Sequence, residues 1–216
     1  YIESLSPNGK SSKPADPVSI NISSQQLVLE PDSYIVATNH GGDPTHNKSI
    51  ADLNIQSGEI SLEDAFISTK STNAAKAGDL EVDATNIALD EDSRIGSYSF
   101  SKGESGDITI GSSRLTMSGG SAVESGLDQV VLEDEERAPY AAGDSGDIKI
   151  TSGVMHLEEG SYVRNAQIDN ALSGSVSITS DELKLKGKSF VSTETIQLFQ
   201  TNYSNKTETD QNGSVD

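Results

Sequence analysis

Aspartate stands at one place in a phrase the chain writes three times: Ala77-Gly78-Asp79-Leu80-Glu81-Val82, Ser105-Gly106-Asp107-Ile108-Thr109-Ile110 and Ser145-Gly146-Asp147-Ile148-Lys149-Ile150. Stacked in space, Asp79, Asp107 and Asp147 would form a carboxylate column suited to Ca²⁺, which takes roughly six to eight oxygen ligands. The plainer role of such residues is turn chemistry, each Asp accepting a backbone N–H. The chain has no Gly-Gly-x-Gly-x-Asp calcium repeat, so the turn role is the expectation.

A second candidate cluster is His40, Asp43 and His46 in one polar stretch. Two imidazoles and a carboxylate are Zn²⁺ or Ni²⁺ donors, but loop histidines are ordinarily solvated. Cysteine is absent, which excludes thiolate metal sites and disulfides. No metal and no other cofactor is expected. Glu133-Asp134-Glu135-Glu136 reads as a solvated acidic loop. Asn47, Asn202, Asn205 and Asn212 open N-x-S/T sequons.

The charge balance is acidic, with 34 Asp and Glu against 15 Lys and Arg and a net charge of −19. Nucleic acid is not expected as a partner, since phosphate neutralisation needs clustered Lys and Arg. A polybasic membrane patch is excluded on the same ground. Apolar residues make up 33% of the chain, too few for one large round core. No apolar run approaches the length of about 18 residues of a membrane span.

The phrase recurs 28 and then 40 residues apart, in the range of solenoid repeats. Laid on its frame, the chain shows five apolar positions per unit. The first holds Ile20, Leu53, Leu80, Ile108, Ile148, Val176 and then Val215; the second Ile22, Ile55, Val82, Ile110, Ile150 and Ile178. The third runs Leu27, Ile60, Ile87, Leu115, Met155, Leu183, and the fourth Leu29, Leu62, Leu89, Met117, Leu157, Leu185. The fifth is Ile35, Ile67, Ile95, Val123, Val163 and Val191, with one residue deleted in the second unit. Each unit is three short alternations of period 2, the mark of strands with one buried face. Gly, Ser, Asp and Asn cluster at the bends between them.

A unit this small cannot offset the entropy of ordering itself. Its strands must pair in parallel with those of the units above and below, at about 4.8 Å. Strand-to-parallel-strand connections are almost always right-handed. The expected fold is all-β: a right-handed parallel β-helix, a solenoid of about six full coils with three strands per coil, roughly 29 Å long by that spacing. Residues 1–17 read as the tail of a preceding coil and a loop, with Pro7-Asn8-Gly9 an ordinary turn. Residues 18–212 read as the β-helix with long loops at 36–50, 126–145 and 194–212, the last opening on an apolar Ile196-Gln197-Leu198-Phe199. Residues 213–216 read as the start of a further coil, so a slice of a longer array is expected.

The frame G-D-I-x-I, then L-x-L/M, then G-S-x-V/I-x-S resembles the repeat region of filamentous haemagglutinin-like exoproteins of Gram-negative two-partner secretion. The resemblance spans about residues 18–216 and rests on the repeat pattern. It implies a secreted, cell-surface-associated β-helix serving adhesion, aggregation or biofilm. It also implies an outer-membrane partner transporter for the full-length protein. Host or cell-surface glycan or protein and lateral self-association are the further partners it suggests.

The residue just before the fifth apolar position is expected to point outward: Tyr1, Tyr34, Phe66, Arg94, Ala122, Tyr162 and Phe190. Five of these seven are aromatic in a chain with six Tyr and four Phe. Tyr34, Phe66, Tyr162 and Phe190 are therefore the candidate ligand-binding column, a stacking platform for sugar or partner. Serines 33, 93, 121, 161 and 189 are expected to form a stacked hydroxyl ladder at a bend, and Thr69, Ser97, Ser125, Asn165 and Thr193 another. The alternative function is a polysaccharide lyase or hydrolase, which needs acids, bases or cations from adjacent coils to converge. Lys184, Lys186 and Lys188 share one coil with few acidic partners in register, and no His is expected in an outward column. No catalytic residues are assigned and an enzyme is not expected. An autotransporter passenger would share the body and differ by a C-terminal barrel.

Overall fold

The computed structural model describes residues 2–5, 19–40, 51–72, 75–100, 103–126, 143–168 and 171–196. Six long strands carry the first four apolar positions of each unit: β2 (Ile20–Leu29), β4 (Leu53–Glu63), β6 (Leu80–Asp90), β8 (Ile108–Met117), β10 (Ile148–Leu157) and β12 (Val176–Leu185). Seven short strands carry the fifth: β1 (Ile2–Leu5), β3 (Tyr34–Asn39), β5 (Phe66–Ser71), β7 (Arg94–Ser99), β9 (Ala122–Gly126), β11 (Tyr162–Ile168) and β13 (Phe190–Ile196). The long strands form one sheet and the short strands another, each in the order of the repeat, and every pair is parallel.

Register follows the sequence frame. Leu53, Leu80, Ile108 and Ile148 stand in one column, and Ile67, Ile95, Val123 and Val163 in another. These side chains are at most 1% exposed and fill the space between the sheets. Stacking of like aliphatics from coil to coil makes one continuous core from units that have none alone.

The expected three strands per coil become two. The first two alternations run on as a single strand with a one-residue break in the ladder: Ser57 pairs with Ala84 and Glu59 with Asn86, leaving Gly58 and Thr85 out. Burial alternates up to Ala84, then Thr85 and Asn86 are both exposed before Ile87 is buried. Skipping one residue switches the facing of a period-2 pattern, so the strand bends around the core without ending. Serine lines the inner side of this corner: Ser57 and Ser152 hydroxyls donate to the carbonyls of Glu59 and Val154, and Ser112 donates to Ser152 at 3.0 Å.

The turns from long to short strands use left-handed backbone. Glu91 and Asp92 have φ of 49° and 59°, and Gly119 and Gly120, one coil on, 61° and 78°. The expected loop boundaries shift accordingly. Strand β3 continues to Asn39 and β13 to Ile196, both inside segments read as loop.

Candidate functional site

The repeated Ser/Ala-Gly-Asp phrase is a corner joining one coil to the next. A Cβ on Gly106 would lie 2.0 Å from the carbonyl oxygen of Gly78, and one on Gly146 2.2 Å from that of Gly106. Only glycine lets the coils approach so closely. The next residue ties them. The Asp52 Oδ1 accepts the N–H of Asp79 (2.9 Å), Asp79 that of Asp107 (3.0 Å), Asp107 that of Asp147 (2.8 Å) and Asp147 that of Ser175 (2.7 Å). The Asp column is thus turn chemistry acting between coils, and Lys76 Nζ lies 3.3 Å from Asp79. The N–H and hydroxyl of Ser175 hold the Asp147 carboxyl below its ordinary range. The preceding serines serve the interior. Ser105 bonds Ser125 at 2.9 Å, Ser97 accepts the Gly106 N–H, and Asn165 donates to Gly146 O. Within the Thr69, Ser97, Ser125, Asn165 and Thr193 column, Thr69 donates to Ser97 at 2.9 Å, Ser125 and Asn165 turn to the adjoining corner, and Thr193 is exposed. Ser93, Ser121 and Ser189 instead close their own turns onto the carbonyls of Asp90, Ser118 and Lys186 rather than forming a ladder with one another.

The predicted aromatic column stands in register: Tyr34, Phe66, Arg94, Ala122, Tyr162 and Phe190 are successive Cα partners. Its exposure is not uniform. Tyr34, Phe66 and Phe190 are 40%, 37% and 41% exposed, whereas Ala122 is buried and Tyr162 is 7% exposed. Tyr162 therefore leaves the set of accessible platform residues.

The reason is a buried charge cluster. Ala122 is small, so Arg94 reaches past it and donates through Nη1 to Glu124 Oε1 and to the Tyr162 hydroxyl, each at 2.9 Å. Tyr98 donates to Glu124 Oε1 at 3.0 Å, while Tyr162 and Arg164 Nη2 each reach Oε2 at 3.2 Å. The Tyr98 ring folds over Gly96, where a Cβ would meet it at 2.3 Å. The Tyr162 ring stacks on Phe190, centroids 5.0 Å apart and planes 4° from parallel, and Arg164 lies over its ring at 5.2 Å. Glu124 is 1% exposed. Burial, and then the Glu124 carboxylate, push the Tyr162 phenol above its ordinary range. Burial alone would lower Arg94, but Glu124 and the two phenols outweigh it and raise it. Both groups thus keep their protons, the phenol as donor and the guanidinium as cation.

Other expected features resolve variously. His40 Nδ1 is 2.6 Å from Thr72 Oγ1; Asp43 and His46 lie outside the described residues. So do Tyr1, Pro7-Asn8-Gly9, Glu133 to Glu136, residues 197–199, Val215 and the four sequon asparagines. No His, Asp and Glu grouping suited to a metal occurs among the described residues. His156 does stand on an outward column, 3.0 Å from Glu182, and Lys186 has an acidic partner in Glu158 at 3.5 Å. On the outer side of the long-strand sheet a shallow depression of about 320 Å³ is lined by Asn21, Ser23, Asn54, Gln56, Glu81 and Asp83. Asn54 donates to Asn21 Oδ1 there at 3.0 Å.

Set against protein-family models, curated proteins and solved structures, the chain matches none.

Proposed function

We propose that the chain is a structural and adhesive segment of a secreted, surface-associated exoprotein: a right-handed parallel β-helix of about six coils that presents an outward recognition row. The observation that carries this is the division of labour among its side chains. Inward columns are taken up by aliphatic packing and by hydroxyl ties between coils, and the exposed Asp column is taken up in tying one coil to the next. Chemistry toward a partner falls to what projects outward, and there Tyr34, Phe66 and Phe190 are exposed in one register column. The resemblance of the repeat frame to filamentous haemagglutinin-like exoproteins supports the same reading, with export through a partner transporter and contact with cell-surface glycan, protein or a second rod.

The alternative, a polysaccharide lyase or hydrolase, gains one supporting observation, since Arg94, Glu124, Tyr162 and Arg164 come from three successive strands to one point. Against it, all the carboxylate's partners are protein donors and Glu124 is 1% exposed, leaving it no path to a substrate proton.

The test replaces Tyr34, Phe66 and Phe190 together with Ser and measures binding to cells and immobilised glycans beside the melting temperature. Lost binding at an unchanged melting temperature supports the recognition row. Unchanged binding removes it. Release of unsaturated sugars from acidic polysaccharides by the native protein would replace the adhesive reading with the lyase.

A further inference from the structure

Strand β13 ends the short-strand sheet among the described residues, and its outer side is the one place where the charge cluster meets an exposed aromatic ring. Arg164 is held by Glu124 through Nη2 at 3.2 Å. Its Nη1 has a looser partner, Glu194 Oε1 at 3.7 Å, on a side chain 42% exposed. Its Nε is buried with no hydrogen-bond partner, and so is the hydroxyl of Ser192. Ser192 stands opposite Arg164 in the parallel register. Ser68, Ser161 and Gln167 also carry buried polar atoms without a partner, but Arg164 and Ser192 stand on neighbouring rungs beside an exposed aromatic ring. Beside them, in the same two strands, Phe190 has one ring face on Tyr162 and is 41% exposed.

The three features fit one ligand class. A guanidinium with donor capacity to spare is a carboxylate receptor. Glu194 already holds a carboxylate in that place, but loosely and from a solvated side chain. An exposed aromatic ring offers its face to the C–H side of a pyranose. We propose that Arg164, Ser192 and Phe190 form a subsite for an acidic sugar. The ring lies on Phe190, and its carboxylate replaces that of Glu194 on Arg164, with the Ser192 hydroxyl as second donor. This inference rests on the adhesive reading of the aromatic row and names the ligand chemistry at its Phe190 end.

The test is calorimetric titration of the native chain with trigalacturonate, with a neutral trisaccharide of the same length and with acetate. Trigalacturonate binds, and the other two bind far more weakly. Glu194→Gln removes the competing carboxylate and tightens binding about fivefold, the size of a partly exposed charge pair. Phe190→Ala weakens it about tenfold, the size of an aromatic contact. Melting temperatures of both variants stay near that of the native chain. Equal binding of the neutral sugar or of acetate overturns the proposal, as does a Glu194→Gln variant that binds no better than the native chain. If trigalacturonate fails while the native protein still adheres to cells through Tyr34, Phe66 and Phe190, the subsite is wrong and the adhesive reading stands. If the sugar binds but cells do not, the reverse holds.

Discussion

The two sheets are built from one repeat, yet their outer faces differ. On the long-strand sheet, burial alternates: Leu80 and Val82 are buried while Glu81 and Asp83, each next in the chain, are exposed. The middle of the short-strand sheet is closed on both sides, and in β9 every residue from Ala122 to Gly126 is buried, while Tyr34, Phe66 and Phe190 farther along the sheet are exposed. The first face is open, polar and acidic. The second holds two arginines and two tyrosines, the arginines partly exposed, against a buried carboxylate. An open face tolerates almost any polar residue. A closed one demands that every donor and acceptor be answered.

The sharpest way to break this contrast is to remove a glutamate from each face. Glu124→Ala leaves Arg94 and Arg164 without their shared anion in a buried place. Losing one partner of such a cluster costs about 3–5 kcal/mol, or roughly a 10 °C fall in melting temperature for a chain of this size. Glu81→Ala on the open face shifts stability by no more than about 0.5 kcal/mol. Similar melting temperatures for the two variants would show that the short-strand face is not closed in solution.

The contrast also marks where sequence reading works. Period 2 and the five apolar columns place the inward residues of the middle coils, because burial between two sheets is set by the alternation itself, whereas in the last described coil Leu183, Leu185 and Val191 are exposed. The same alternation says which residues face outward but not what lies over them. Tyr162 is expected on an exposed column for that reason, and Arg94, Arg164 and the Phe190 ring make the difference. The frame did contain a clue. Glu124 and Arg164 each follow the fifth apolar position, in adjacent coils, so an opposite-charge pair on neighbouring rungs could be read from Val123-Glu124 and Val163-Arg164. Arg94 could not, since it acts across two coils through a gap left by Ala122. Nor could the merging of the first two strands, which depends on one unpaired corner residue such as Gly58 or Thr85.

A smaller effect separates two glycines. In Gly106→Ala the new methyl would stand 2.0 Å from a backbone carbonyl at the corner between coils; in Gly111→Ala it meets the Asp83 carboxylate at 2.1 Å on the open face. A carbonyl fixed in a ladder cannot move without its neighbours, so Gly106→Ala costs about 1–3 kcal/mol. The Asp83 side chain swings into solvent, and Gly111→Ala is neutral to within about 0.5 kcal/mol. Denaturant midpoints of the two variants measure this directly. If Gly111→Ala proves the costlier change, the open face is more tightly built than its exposure indicates.

The smallest effect lies at the edge where the coils are tied, and it is read by titration. Asp147 is well exposed, and its carboxyl sits below the ordinary Asp value of 3.8 because the N–H of Ser175, and then its hydroxyl, donate to it. A carboxyl whose folded pKa is depressed contributes stability that is fully present above its unfolded value, about 3.9. That contribution fades as the pH falls through the lower folded value. The tie between these coils is therefore intact at neutral pH and loosens only in acid below about pH 4. Ser175→Ala removes the hydroxyl donor and keeps the N–H, so the Asp147 pKa rises part of the way back. Carboxyl carbon shifts followed by NMR from pH 6 downward, a range chosen to span the ordinary carboxylate values, resolve both steps. A native Asp147 that titrates at or above 3.8, or one unmoved by Ser175→Ala, would mean that the carboxylate does not hold the next coil by the bonds described.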